Sequence, residues 1–120
     1  VDKVLVIEDN LSNAQLIINL MKALGHETLH ITDGQQAWAA LAHFIPRLIF
    51  LDLRLPGIDG WALARHIKED VRLAHVPIVA ISVEIEPDDR YLAFQAGCDA
   101  YFAKPFNIQE LKTYLSQRLG

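Results

Sequence analysis

Four polar sites stand where apolar runs end. KVLVI (residues 3–7) runs into Glu8 and Asp9, LIFL (48–51) into Asp52, IVAI (78–81) into Ser82, and the segment from Asp99 to Phe102 into Ala103-Lys104-Pro105. A continuous apolar run bounded by turn signals reads as a strand buried on both faces, and such a strand cannot carry a carboxylate in its middle. Asp52 therefore belongs at the carboxyl edge of a sheet, the rim where open α/β sheets bind ligands. With parallel strands and the first and third as neighbours, Glu8, Asp9 and Asp52 converge in one concavity. Close carboxylates repel and raise one another's pKa. A hard divalent cation with oxygen ligands cancels that repulsion, and Mg²⁺ suits best because it takes one or two carboxylates and recruits phosphate oxygens. Lys104 adds a positive charge that can meet a phosphoryl oxygen, and Ser82 a hydroxyl donor. Singly, each has an ordinary explanation: helix-capping charges for the acids, surface turns for the serine and the Lys-Pro pair. The combination at matching strand ends carries the argument.

The elements that would position these groups follow from periodicity and punctuation. Asn10 or Ser12 caps a first helix with Leu16, Ile17, Leu20, Met21 and Leu24 at helical spacing, stopped by Gly25. Glu27 to Ile31 is a second strand near an edge. Thr32 or Asp33 caps a second helix that runs through Ala37, Trp38, Leu41 and Phe44–Ile45 to Pro46. Asp59 caps a third helix through about Lys68. Pro77 precedes the fourth strand, and Pro87 suits the first turn of a fourth helix reaching Gly97. Asp99 to Phe102 is a short fifth strand. Asn107 caps a last helix that turns Ile108, Leu111, Tyr114, Leu115 and Leu119 inward. Strands alternating with helices imply a parallel sheet covered on both sides. The expected fold is a doubly wound, five-stranded α/β sandwich of flavodoxin-like order 2-1-3-4-5.

A chain of 120 residues with 52% hydrophobic and 22% charged residues forms one globular domain, expected over residues 1–120. A formal charge of −4 argues against a nucleic-acid surface. The single Cys98 suits a reducing compartment, and no run approaches the length of a membrane span. A cytoplasmic location is expected.

The constellation resembles the receiver domain of two-component response regulators. The resemblance rests on Glu8-Asp9, Asp52 in LDLRLPGIDG, Ser82 after IVAI, Lys104 in AKPF and Tyr101 three residues before it, in that order and spacing over essentially the whole chain. It implies that Asp52 accepts a phosphoryl group from a histidine kinase or histidine phosphotransfer protein, in a cytoplasmic phosphorelay. It implies Mg²⁺ held by Asp9, Asp52 and the backbone carbonyl of Arg54, with Glu8 contributing directly or through water. Lys104 would meet the phosphoryl oxygens. Ser82 and Tyr101 would form the switch, Ser82 moving onto the phosphoryl group and the Tyr101 ring turning inward. The output surface would be the fourth helix, fifth strand and fifth helix, acting on a partner or an attached output domain. Such a domain catalyses only its own phosphorylation and dephosphorylation and is not a turnover enzyme. Glu8 in place of Asp, Ser82 in place of the more usual Thr, and the bulky Val83 depart from the commonest pattern. Val83 would crowd the approach of water to Asp52, and Arg54 would either reach over the phosphoryl group or remain a solvated loop charge. The chain begins at Val1 without an initiator Met, so it reads either as a free-standing regulator or as a piece of a larger one; self-association is left open.

Other functions fit less well. FMN binding needs an anion-accepting loop where Glu8-Asp9 stand. A dehalogenase-type phosphatase needs a second acid where Arg54 stands, and Rossmann and P-loop fingerprints are absent. The five His lack metal-ligand spacing. The serious alternative is an interaction module that keeps the fold without being switched by phosphate.

Overall fold

The computed structural model describes residues 3–119, so Val1, Asp2 and Gly120 of the expected 1–120 domain lie outside the described residues. The elements run β1 (Lys3–Ile7), α1 (Leu11–Ala23), β2 (Glu27–Ile31), α2 (Gly34–Leu41), β3 (Leu48–Asp52), α3 (Gly60–Glu69), β4 (Ile78–Val83), α4 (Asp89–Gln95), β5 (Ala100–Lys104) and α5 (Ile108–Leu119). The strands pair in parallel in the order β2-β1-β3-β4-β5. This is the doubly wound α/β fold expected from the alternation of apolar runs and helical periods.

Side chains alternate across each strand, so the central strands feed two cores. On one face Leu5, Ile7, Ile49, Leu51, Ile78 and Ala80 meet Ala37 and Leu41 of α2, Leu63, Ala64 and Ile67 of α3 and Ala93 of α4. On the other, Val4, Val6, Leu48, Phe50, Val79 and Ile81 meet Ala14, Ile17 and Met21 of α1 and Leu111 and Leu115 of α5. Phe50 is fully buried; truncating such a residue to Ala typically costs about 3–5 kcal/mol. Edge strand β2 is only half-buried, as expected.

The helix starts follow local capping chemistry. Asn10 accepts from Asn13 N–H, Asp33 from Gln36 N–H, Asp59 from Trp61 and Ala62 N–H, and Asn107 from Gln109 and Glu110 N–H. Gly25, at φ +87°, ends α1.

Several boundaries and burials depart from expectation. The helical spacing extends to Ile45, but α2 ends at Leu41. The N–H groups of Ala42 and His43 reach back three residues, tightening the last turn, and Arg47 N–H is already bonded to Lys3 O in the sheet. Because the residue before a proline is pushed out of helical backbone, the chain leaves the helix ahead of Pro46. Helix α4 starts at Asp89, two residues after Pro87, which lies in the preceding turn. Strand β5 begins at Ala100, since Asp99 spends its carboxylate on Ile78 N–H. Leu16 and Ile108 point to solvent, with Ala14 taking an inward position on α1 instead.

Candidate functional site

All strands point the same way, so their carboxyl ends form one rim. Glu8 follows β1, Asp52 closes β3, Ser82 is next to last in β4 and Lys104 closes β5. The backbone of Glu8 is fixed by its N–H to Ile31 O and by its carbonyl against His30 Nε2 at 2.8 Å. Glu8 and Asp52 are both buried, Asp9 exposed. Lys104 Nζ lies 2.9 Å from Asp52 Oδ2 and 2.7 Å from Glu8 Oε1. Asp52 Oδ1 accepts from the backbone N–H of Arg54 at 2.9 Å, and Glu8 Oε2 from Asn10 N–H at 3.2 Å. The Lys104–Pro105 peptide is cis.

One ammonium between two buried acids leaves a negative charge in excess. Burial, and then the neighbouring Asp52 carboxylate, push the Glu8 carboxyl up to about 7. For Asp52, burial works toward a higher value, but the neighbouring Glu8 carboxyl, Lys104 and Arg54 N–H outweigh it and hold the group below the ordinary carboxylate range. Burial acts to lower Lys104, and the two carboxylates more than reverse it.

One oxygen from each of Glu8, Asp9 and Asp52 lies within 4.8 Å of the others. Glu8 Oε1 is buried and, apart from the ion-pair contact with Lys104, makes no directed hydrogen bond. An all-oxygen, acid-rich set with an underused buried oxygen suits a hard divalent cation such as Mg²⁺.

The remaining expected residues are placed less simply. Ser82 is buried and its hydroxyl donates to Val83 O at 3.2 Å. Tyr101 is 5% exposed, so its ring already lies inward; its hydroxyl is buried without a hydrogen-bond partner, and Arg90 packs over the ring at 5.6 Å. The Arg54 side chain is not a solvated loop charge. Its Nη2 pairs with Asp89 Oδ2 at 2.6 Å, its Nε donates to Val83 O at 3.1 Å, and the guanidinium stacks on Trp61 at 5.0 Å. Sequence reasoning missed Asp89, a buried acid in the first turn of α4. An acid just after a proline turn looks like an ordinary helix-start residue, and nothing local announces a partner 35 positions away.

The model of the response regulator receiver domain family matches residues 4–116. The chain belongs to that family. The polar-differentiation response regulator DivK of Brucella ovis is 33% identical over 116 residues, covering 93% of this chain and 94% of DivK. Among solved structures, this receiver domain is similar to that of a sensor histidine kinase from Pseudomonas aeruginosa with a magnesium ion coordinated in its active-site cleft. The identity is 33%, the TM-score 0.86, and 99% and 98% of the two chains are covered. It is also similar to the Mn²⁺-bound form of response regulator Rcp1, at 26% identity and TM-score 0.83, over 98% and 91% of the chains. Receiver domains take phosphoryl groups from histidine kinases and bind Mg²⁺ at an acidic site, and Glu8, Asp9 and Asp52 form an acidic cluster here. Among the described residues no helix is long and apolar enough to cross a membrane.

Proposed function

We propose that this receiver domain is a phosphorylation-activated switch in which Asp52 is the phosphoacceptor. The observation that carries the reading is a buried carboxylate at a strand end, held by Lys104 Nζ on one oxygen and by Arg54 N–H on the other, beside two further acids. A carboxylate so held is oriented for in-line attack. An Asp52 oxygen attacks the phosphorus of a phosphohistidine on a histidine kinase or phosphotransfer protein. The new O–P bond forms as the P–N bond breaks, its electron pair staying on that nitrogen, and the imidazole leaves neutral with the proton its other ring nitrogen already carried. Lys104 then meets a phosphoryl oxygen where charge develops. Asp9, Asp52 and the Arg54 carbonyl would hold Mg²⁺, with Glu8 directly or through water; bound there, the ion neutralises charge on the transferring group.

Ser82 reaches the phosphoryl group by leaving Val83 O, and Tyr101, already inward, occupies the space beside it. The reading places output on the face of α4, β5 and α5, where Tyr91, Leu92 and Phe94 are exposed on α4. The domain is a stoichiometric acceptor rather than a turnover enzyme, working in the cytoplasm.

Incubation with Mg²⁺ and acetyl phosphate, followed by intact mass measurement, tests this. A gain of one phosphoryl group, lost in Asp52→Asn, is expected. No gain in the unaltered protein favours an interaction module that phosphate does not switch.

A further inference from the structure

We propose that Arg54 and Asp89 form a clamp that holds the unphosphorylated state, tying the acceptor loop to the switch serine and to the start of α4; this rests on Asp52 being the phosphoacceptor. Arg54 faces two ways. Its backbone N–H holds Asp52 Oδ1, while its guanidinium grips Asp89 and the Val83 carbonyl. The same Val83 carbonyl accepts the Ser82 hydroxyl, so Arg54 steadies the group on which Ser82 is parked. The Asp89 oxygen that meets Arg54 also accepts the N–H groups of Ile85 at 2.9 Å and Glu86 at 3.1 Å. One carboxylate thus organises the whole β4–α4 connection. Trp61 closes the arrangement, its ring under the guanidinium and its Nε1 donating to Asp89 O at 3.3 Å.

A phosphoryl group on Asp52 brings a charge of about −1.5 to −2 and three acceptor oxygens to within two residues of this arginine. Guanidinium prefers such an anion in forked geometry, and Ser82 must leave Val83 O to reach it. Both changes undo clamp contacts. Interactions made in only one of two states bias the equilibrium by their differential strength. Loosening the clamp therefore favours the phosphorylated form.

The test uses the phosphoryl mimic beryllofluoride with saturating Mg²⁺, its affinity measured by calorimetry for the unaltered protein, Asp89→Asn and Arg54→Gln. Asn keeps an oxygen for Ile85 and Glu86 N–H while removing the charge pair. A Trp38→Phe background leaves Trp61 as the sole tryptophan, and its emission should change on beryllofluoride binding. Asp89→Asn is expected to bind about fivefold tighter or more, and Arg54→Gln, which loses the contact to the phosphoryl mimic together with the clamp, to gain less than Asp89→Asn. A merely structural tether would lower Tm equally in the free and bound forms and leave affinity unaltered. Unaltered or weaker binding in Asp89→Asn, with a responsive parent protein, overturns the clamp alone. A parent protein that neither binds beryllofluoride nor gains a phosphoryl group from acetyl phosphate overturns the switch reading and the clamp together.

Discussion

Lys104 Nζ lies 2.9 Å from Asp52 Oδ2, although the two residues are 52 positions apart. The same nitrogen touches Glu8, so one ammonium is shared by two buried acids. Lys104→Met removes the positive charge that competes with a metal. Mg²⁺ binding, measured by calorimetry, is expected to tighten severalfold while the rate of phosphorylation by acetyl phosphate falls. Without metal, the stranded acids should cost on the order of 3 kcal/mol at pH 8 in denaturant titration. Weaker Mg²⁺ binding would contradict the charge argument.

Glu8 links the site to pH. Its carboxyl is raised from 4.5 to about 7 in the folded protein. A raised acid favours folding in its neutral form, so this contribution is full below pH 4.5 and is lost as pH climbs through 7. Metal-free stability should fall over that window, and Mg²⁺ affinity should rise over it, because binding must expel the proton. Glu8→Gln should flatten both dependences. Calorimetry in buffers of different ionisation enthalpy counts the released proton; no release at pH 6 would sink the prediction.

Gly60 opens α3 against the backbone of the loop that follows Asp52. A Cβ there would fall inside the Leu53 backbone, which cannot move as a flexible side chain would. Gly60→Ala is expected to destabilise the domain by about 2–3 kcal/mol and to weaken Mg²⁺ binding, because Leu53 sits between Asp52 and Arg54. Stability within 0.5 kcal/mol of the parent (about the range of a neutral surface change) would show that the loop yields.

The Tyr101 hydroxyl is buried without a hydrogen bond of good geometry, and burial, with the Glu84 carboxylate nearby, pushes its pKa up to about 12. An unsatisfied hydroxyl does not stabilise. Tyr101→Phe should leave Tm unchanged or raise it. A drop of several degrees would reveal a partner for the hydroxyl.

Val83 closes β4 with its side chain 49% exposed, directly after Ser82. If it shields the aspartyl phosphate from water, Val83→Ala should shorten the phosphoryl lifetime in a mass-based decay assay. An unchanged or longer lifetime would remove that role.

The strands, the helix caps and the order of the acids, serine and lysine could be read from the chain alone. Each depends on short-range physics. A β-branched run such as KVLVI favours a buried strand wherever it lies, and Asp59 caps α3 using N–H groups two and three residues away. Parallel alternation then carries the strand ends to one rim, which is why Glu8, Asp52 and Lys104 could be brought together before any coordinates.

Tertiary packing decided the rest. The burial of Ala14 in place of Leu16, and the end of α2 before Phe44, depend on which surfaces the helices meet. Tyr101 is buried because it packs into the core with Arg90 of α4 over its ring. The clearest case is Arg54, whose guanidinium finds Asp89 only because β3 and β4 are neighbours and the α4 turn folds back over them. Long charged side chains choose among many partners within reach, and only the packed arrangement of loops selects one.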